Sequence, residues 1–326
     1  MAKSLIFLFV IVAVQYPSPQ RLVRHLRHIS DLNAMIDPHV PQLAAWEDEF
    51  RATRLAPLEQ AAASRPASAP AAAPLFTAAA SRPVHPQAVL REVEQFVYDK
   101  VRYDWDWNTW NVADYLPGVA ELFDAAPSDP DGRLREDCDG RALLAASLLA
   151  RMGYDARLVT DFRHMWVRVE HVAPGPDGRP TALELMGPGR AKSVVSTAAG
   201  NRFDWRTLSN LPVAWSFGVA VFPWGREAIV FATLMILLMH RRMSRRAAVV
   251  GVLLAFAGWH FLRMGVVSVG QVGMAGYAWQ ERPDMAWLGL AYVLLGCGVL
   301  WRASRRARRG NLPAPDSSSV TQSREG

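Results

Sequence analysis

Residues 136–170 read EDCDGRALLAASLLARMGYDARLVTDFRHMWVRVE. Asp137 is a residue type that caps helices, so the stretch predicts a helix beginning at Cys138. Leu144, Leu148 and Met152 fall on one helical stripe, joined by Ala145 and Leu149, and Gly153 stops the pattern. Asp155–Phe162 then alternates as a strand. His164–Val172 alternates again, with His164, Trp166, Arg168 and Glu170 on one face and Met165, Val167 and Val169 on the other. Pro-Gly-Pro-Asp-Gly at 174–178 is a hairpin turn, and Thr181–Met186 is a third strand. A helix followed by short strands joined by tight turns is the pattern of an α+β domain with a small antiparallel sheet.

Upstream, Val89, Val93, Phe96, Val97 and Val101 keep helical spacing and lead into an aromatic stretch with Trp105, Trp107 and Trp110. Ser128–Gly132 is a turn cluster. Residues 57–85 are Ala/Pro/Ser-rich, a composition that cannot bury a core, and read as a linker. The compact domain is therefore expected over 86–209, preceded by a helical segment over 17–56. In that segment Arg21, Arg24, His25, Arg27 and His28 form a basic face, expected to rest near a membrane surface.

Cys138 at a helix start is placed for nucleophilic chemistry. The free N–H groups and the dipole of the first turn favour a thiolate, while Asp137 and Asp139 oppose it by like charge. A histidine would complete an ion pair, and His164 begins the strand after the next turn. Glu184, on the adjacent strand, is the candidate to orient that ring, with Asp161 as the alternative. The plainer reading is a small buried cysteine and a hydrogen-bonded strand histidine. The acidic run Asp124, Asp129, Asp131, Asp137 and Asp139 lacks a calcium-loop pattern and reads as turns and caps, so neither metal nor cofactor is expected.

Asp137–Ala142, the following AASLLARMGYDARLV and His164–Val169 resemble the transglutaminase-like superfamily: a Cys opening an Ala/Leu-rich helix, a Gly, a strand, then His-x-Trp-x-x-Val. The upstream FVYDKVRYDWDW is similar to that family's helix and aromatic loop, so the resemblance covers roughly residues 90–190. It implies a papain-like core with a Cys-His-Asp triad acting on amides, Cys138 as nucleophile and His164 as base. The family's third residue commonly lies in a Leu-Asp-Pro context. Here the stretch is Leu183-Glu184-Leu185-Met186-Gly187-Pro188. Alignment on the proline puts Gly187 at the third position, and alignment on the strand puts Glu184 there. An indole N–H of Trp105 or Trp107 is the candidate oxyanion donor. The expectation is a thiol peptidase or amidase, or an acyltransferase, with a protein or peptide substrate. The alternative is an inactive peptide-binding module.

The formal charge is +6, yet nine arginines sit in two short stretches, 241–246 and 302–309, without which it would be −3. Both stretches follow apolar runs, so the positive-inside rule explains them without nucleic acid. The apolar run Leu5–Val14 reads as a signal anchor or a signal peptide ending near residue 16. Three apolar stretches within 210–301, Phe222–Met239, Ala247–Leu262 and Ala286–Trp301, predict about three spans, with Arg263 snorkelling or paired, and a basic tail over 302–326. His260 and Arg263 are the only clear candidates in the second span for the paired charges that a transport reading needs. Both arginine stretches are expected in the cytoplasm of a bacterial cell, with residues 16–210 outside the membrane. Cys138 and Cys297 then lie in different solvents and do not pair.

Overall fold

A computed structural model describes residues 2–64, 84–125, 129–174, 180–187, 192–272 and 276–309. The chain divides into two compact units. One comprises Gln15–Ala214 and Ser268–Gln280; the other comprises Met1–Val14, Trp215–Val267 and Glu281–Gly326.

In chain order the elements begin with α1 (Ala2–Gln15), α2 (Pro19–Ser30), α3 (Pro41–Phe50) and α4 (Ala56–Ala63), the last two joined by a π turn at Arg51–Leu55. Then come α5 (Pro86–Lys100), β1 (Val101–Tyr103), α6 (Asp106–Thr109), α7 (Val119–Ala125), β2 (Leu134–Glu136) and α8 (Cys138–Arg151). The strands β3 (Ala156–Thr160), β4 (Met165–Pro174), β5 (Pro180–Leu185), β6 (Val194–Thr197) and β7 (Gly200–Phe203) follow. After them come α9 (Leu211–Val221), α10 (Trp224–Leu238), α11 (Arg245–Met264), β8 (Val266–Val272), β9 (Gly276–Glu281) and α12 (Pro283–Arg309).

The first unit mixes helix and sheet. Five antiparallel strands lie in the order β5-β4-β3-β6-β7, and β1 pairs in parallel with β2 beside the start of α8. The helix α8 starts where expected. Asp137 caps it by accepting the Asp139 N–H at 3.2 Å, and Gly153 ends it at φ +89°, a left-handed conformation that costs other residues roughly 1 kcal/mol or more. The single stripe read from its sequence is only part of its buried surface: Gly140 to Leu149 are buried on every side. Leucines and alanines all round mark a central helix, packed on β3 and β4 and also on α3, α5 and α7.

That second layer moves the domain boundary. Leu32, Met35, Val40, Leu43 and Phe50 belong to the same buried core as α8, so the segment over 17–56 is part of the domain that was expected to begin at 86. Residues 57–63 of the expected linker lie in α4; 65–83 lie outside the described residues, as do 175–178 of the hairpin turn and 310–326 of the tail. Strands β6 and β7 were not legible as strands, because each is only four residues long.

In the second unit, α11 and α12 are long and apolar enough to cross a membrane, the only two single helices of that kind among the described residues. The third expected span differs. At 15 residues α10 is roughly 22 Å long against about 30 Å of hydrocarbon, and it meets the helical stretch ending at Val221 at a 119° bend. Arg263 is paired with Glu227. It also donates to the carbonyls of Val219 at 2.7 Å and Ala220 at 3.1 Å and lies 3.7 Å over the Trp224 ring. Helices α11 and α12 pack through glycines: a Cβ on Gly258 would stand 2.7 Å from the Gly289 carbonyl oxygen, and one on Gly296 2.6 Å from that of Gly251. Close backbone approach through small residues is how helices associate where apolar burial gives no drive.

Candidate active site

Both cysteines are free, and Cys138, half-buried, opens α8. The backbone N–H of Met165, the residue directly after His164, favours the thiolate form of Cys138, and α8 packs on β4. His164 is presented by a tight turn. Asp161 Oδ1 accepts the N–H groups of Arg163 at 2.8 Å and His164 at 2.9 Å, and the Asp161 N–H donates to the His164 carbonyl at 3.0 Å. The Asp161 carboxylate also pairs with Arg163 at 3.2 Å. Asp161 thus holds the backbone around His164 rather than its ring.

The ring has a different partner from the one expected. His164 Nε2 lies 2.8 Å from the Met186 carbonyl oxygen. A carbonyl only accepts, so Nε2 carries a proton, and in the neutral ring Nδ1 is the nitrogen with the lone pair. Met186 and Gly187 both have left-handed backbone, φ +69° and +70°, and the Met186 N–H donates to Glu94 on α5. This turn supplies the carbonyl. The Trp166 ring stacks near that of His164, centroids 6.0 Å apart at 18°. Glu184, the sequence candidate for the orienting carboxylate, is taken up elsewhere: it pairs across the strands with Arg168 at 3.4 Å and with Lys192. Gly187, the other alignment choice, lies beside the ring, a Cβ there standing 3.7 Å from Nε2.

The expectation of a ready thiolate is corrected. Burial pushes the Cys138 thiol well above its ordinary range, Asp137 pushes the same way, and the Met165 N–H only partly opposes them. A helix N-terminus is worth roughly 0.3–1 kcal/mol to an anion, too little to offset desolvation beside carboxylates. The site is unusually acidic. Asp106, Glu136, Asp137 and Asp139 each offer an oxygen within 4.8 Å of the others, and all but Asp137 are buried. Burial first and Asp137 next raise the carboxyls of Asp106, Glu136 and Asp139 well above the usual range. Trp110 Nε1 donates to Glu136 at 2.9 Å, while Asp106 Oδ1 is buried without a partner. Such an all-oxygen set suits a hard divalent cation. The acidic run in the sequence contained Asp137 and Asp139 but not Asp106 or Glu136, which reach the cluster from α6 and β2. Asp129 does form a turn, accepting the Asp131 and Arg133 N–H groups.

Around the thiol, Tyr103 is raised by burial and then by Cys138, and Trp105 packs on Tyr103 at 5.3 Å and stacks on Trp107 at 4.9 Å. Trp105 and Trp107 thus extend from Tyr103 as an aromatic cluster; Trp110 is core. Arg141, one turn after Cys138, is buried between the rings of Tyr98 and Tyr103, each 5.1 Å away, and donates to the Val101 carbonyl at 2.6 Å. An arginine on an Ala/Leu helix carries no sequence signal for such burial.

Comparison of the chain with protein-family models, with curated proteins and with solved structures gives no match.

Proposed function

We propose that this is a membrane-anchored thiol hydrolase of the transglutaminase-like kind, acting on amide or peptide bonds on the outer side of a bacterial membrane. The observation that carries the reading is a cysteine at the N-terminus of α8, a helix packed on the strand that follows His164, with the His164 Nε2 held on the Met186 carbonyl. His164 Nδ1 is then the free base. As sulfur attacks the amide carbonyl carbon, Nδ1 takes the thiol proton. It returns that proton to the nitrogen of the leaving amine as the C–N bond breaks, leaving a thioester on Cys138. Water, deprotonated by the same nitrogen, attacks the thioester; the acid departs and the thiol is restored. In this reading the thiol rests protonated, held so by burial.

A peptide-binding module is the second reading, favoured by the main-chain carbonyl that occupies the place of an orienting carboxylate. Covalent labelling with iodoacetamide separates the two. In the enzyme, His164→Ala should slow alkylation of Cys138 at pH 7.5 at least tenfold, because proton transfer to a positioned base typically contributes 10²–10⁴-fold, of which labelling captures a part. Equal rates in wild type and variant would leave the binding module.

A further inference from the structure

The helix α2, PQRLVRHLRHIS over Pro19–Ser30, is turned inside out relative to a helix of a soluble domain. Its polar face looks inward. Arg21 donates to the Trp110 carbonyl, Arg24 pairs with Glu121 at 3.0 Å, His28 Nδ1 lies 2.6 Å from the Leu116 carbonyl, and His25 is buried 3.8 Å from Asp114. Its apolar face looks outward: Val23 is 56% and Leu26 57% exposed. Most of the basic face that the sequence suggested for a membrane surface is thus engaged by the domain, and Arg24, though paired with Glu121, and Arg27 stay exposed beside the apolar face.

A second exposed apolar patch lies on the same unit. Asn201 of β7 donates to the Ile29 carbonyl at 2.8 Å and accepts the Leu32 N–H at 3.1 Å, tying β7 to the end of α2. Phe203 of β7 packs on Trp205 at 4.6 Å, and Trp205 is 73% exposed. The two patches occur at the two points where this unit's chain joins apolar segments. The apolar helix α1 ends three residues before α2 begins, and the 3-10 turn Trp205–Asn210 runs directly into α9.

We infer that the outward face of α2, with Trp205, is seated in the interfacial layer of a phospholipid bilayer, between headgroups and acyl chains. An apolar face bordered by arginine suits the boundary of acyl chains and phosphates, and an amphipathic indole suits the same depth. Continuity with the apolar segments at both patches selects the bilayer over a second copy of the chain. This rests on the membrane reading and is independent of catalysis.

The test uses the full chain carrying Cys138→Ser and Cys297→Ser, reconstituted in vesicles of phosphatidylcholine and phosphatidylglycerol. A nitrobenzoxadiazole label is attached at Leu26→Cys, at Val23→Cys in a second protein, and at Gln60→Cys on α4 as control. Positions 23 and 26 are exposed, so labelling leaves packing intact. Both should be quenched severalfold more than the control by lipid carrying a nitroxide near the top of its acyl chain. Quenching of both no greater than at position 60 overturns the inference. So does crosslinking of Leu26→Cys between two copies without quenching, which would make the partner another copy.

Discussion

The cysteine of the candidate site is governed partly by its neighbour in the chain, and the histidine by a carbonyl far from it in sequence. Cys138 is held protonated by burial and then by Asp137. With the base removed by His164→Ala, a thiol with a raised pKa reacts only through its thiolate, so alkylation of Cys138 in that variant should rise about tenfold per pH unit from neutral into alkaline pH. Adding Asp137→Asn, which keeps a capping side chain, should move that curve to lower pH; a plateau near neutrality in His164→Ala would contradict the protonated thiol. The histidine side of the site gives a second prediction. Glu184→Gln should change His164-dependent labelling less than about twofold, since Glu184 is engaged by Arg168 and Lys192, whereas alanine at Gly187 meets a left-handed backbone that costs roughly 1–2 kcal/mol and should disturb the Met186 carbonyl and slow labelling several-fold. Labelling rates of the two variants, measured side by side, would refute this if Glu184→Gln were the more damaged. The residue pattern made Cys138 and His164 legible, because a cap, a helix start and a strand alternation are local signals. The ring's partner was not, because a backbone carbonyl leaves no trace in side-chain identity.

At the scale of elements, close approach decides what is tolerated. The helix α8 passes Glu136 at Gly140, where an added Cβ would stand 2.7 Å from the Glu136 carboxyl carbon and oxygen, so glycine there is a packing requirement in a helix interior that otherwise disfavours it by about 1 kcal/mol. The pair α11 and α12 uses the same device four times, at Gly251, Gly258, Gly289 and Gly296. Gly258→Leu should therefore separate the two helices and lower the detergent-solubilised melting temperature by several degrees, while Gly298→Leu, with nothing within 4 Å of its Cβ position, should leave it near the wild-type value. Equal melting of the two variants would argue against glycine-mediated packing. The expected spans over 247–262 and 286–301 were read from hydropathy alone and each lies within one helix; the stretch over 222–239 was read as a span of its own, because hydropathy does not register the 119° bend that precedes it.

For the whole molecule, the two arginine stretches bear on orientation. Arg242, Arg302 and Arg306 line one cavity at the same end of α11 and α12. If the pair spans a bilayer, clusters at one end of it fall on one side, and the proposed topology, by the positive-inside rule, takes that side as cytoplasmic. A reporter active only outside the cytoplasm should be active when fused after Ser209 and silent when fused after Arg309. The reverse pattern would invert the molecule and place the candidate site in the cytoplasm.

From sequence alone came the features written in short windows: the helix opened by Asp137 and Cys138 and closed at Gly153, the strands that follow it, the apolar runs and their arginines. Each depends on a cap, a periodicity or a composition that acts over a few residues, so the local chain carries the whole signal. Only the tertiary structure decided the Met186 carbonyl as the partner of His164, the assembly of Asp106 and Glu136 beside Asp137 and Asp139, the inclusion of Leu32–Phe50 in the core, and the outward turn of Val23 and Leu26. These depend on which distant surface lies opposite. An amphipathic pattern states that a helix has two faces; what each face meets is settled by the groups packed against it, and in α2 those groups are polar.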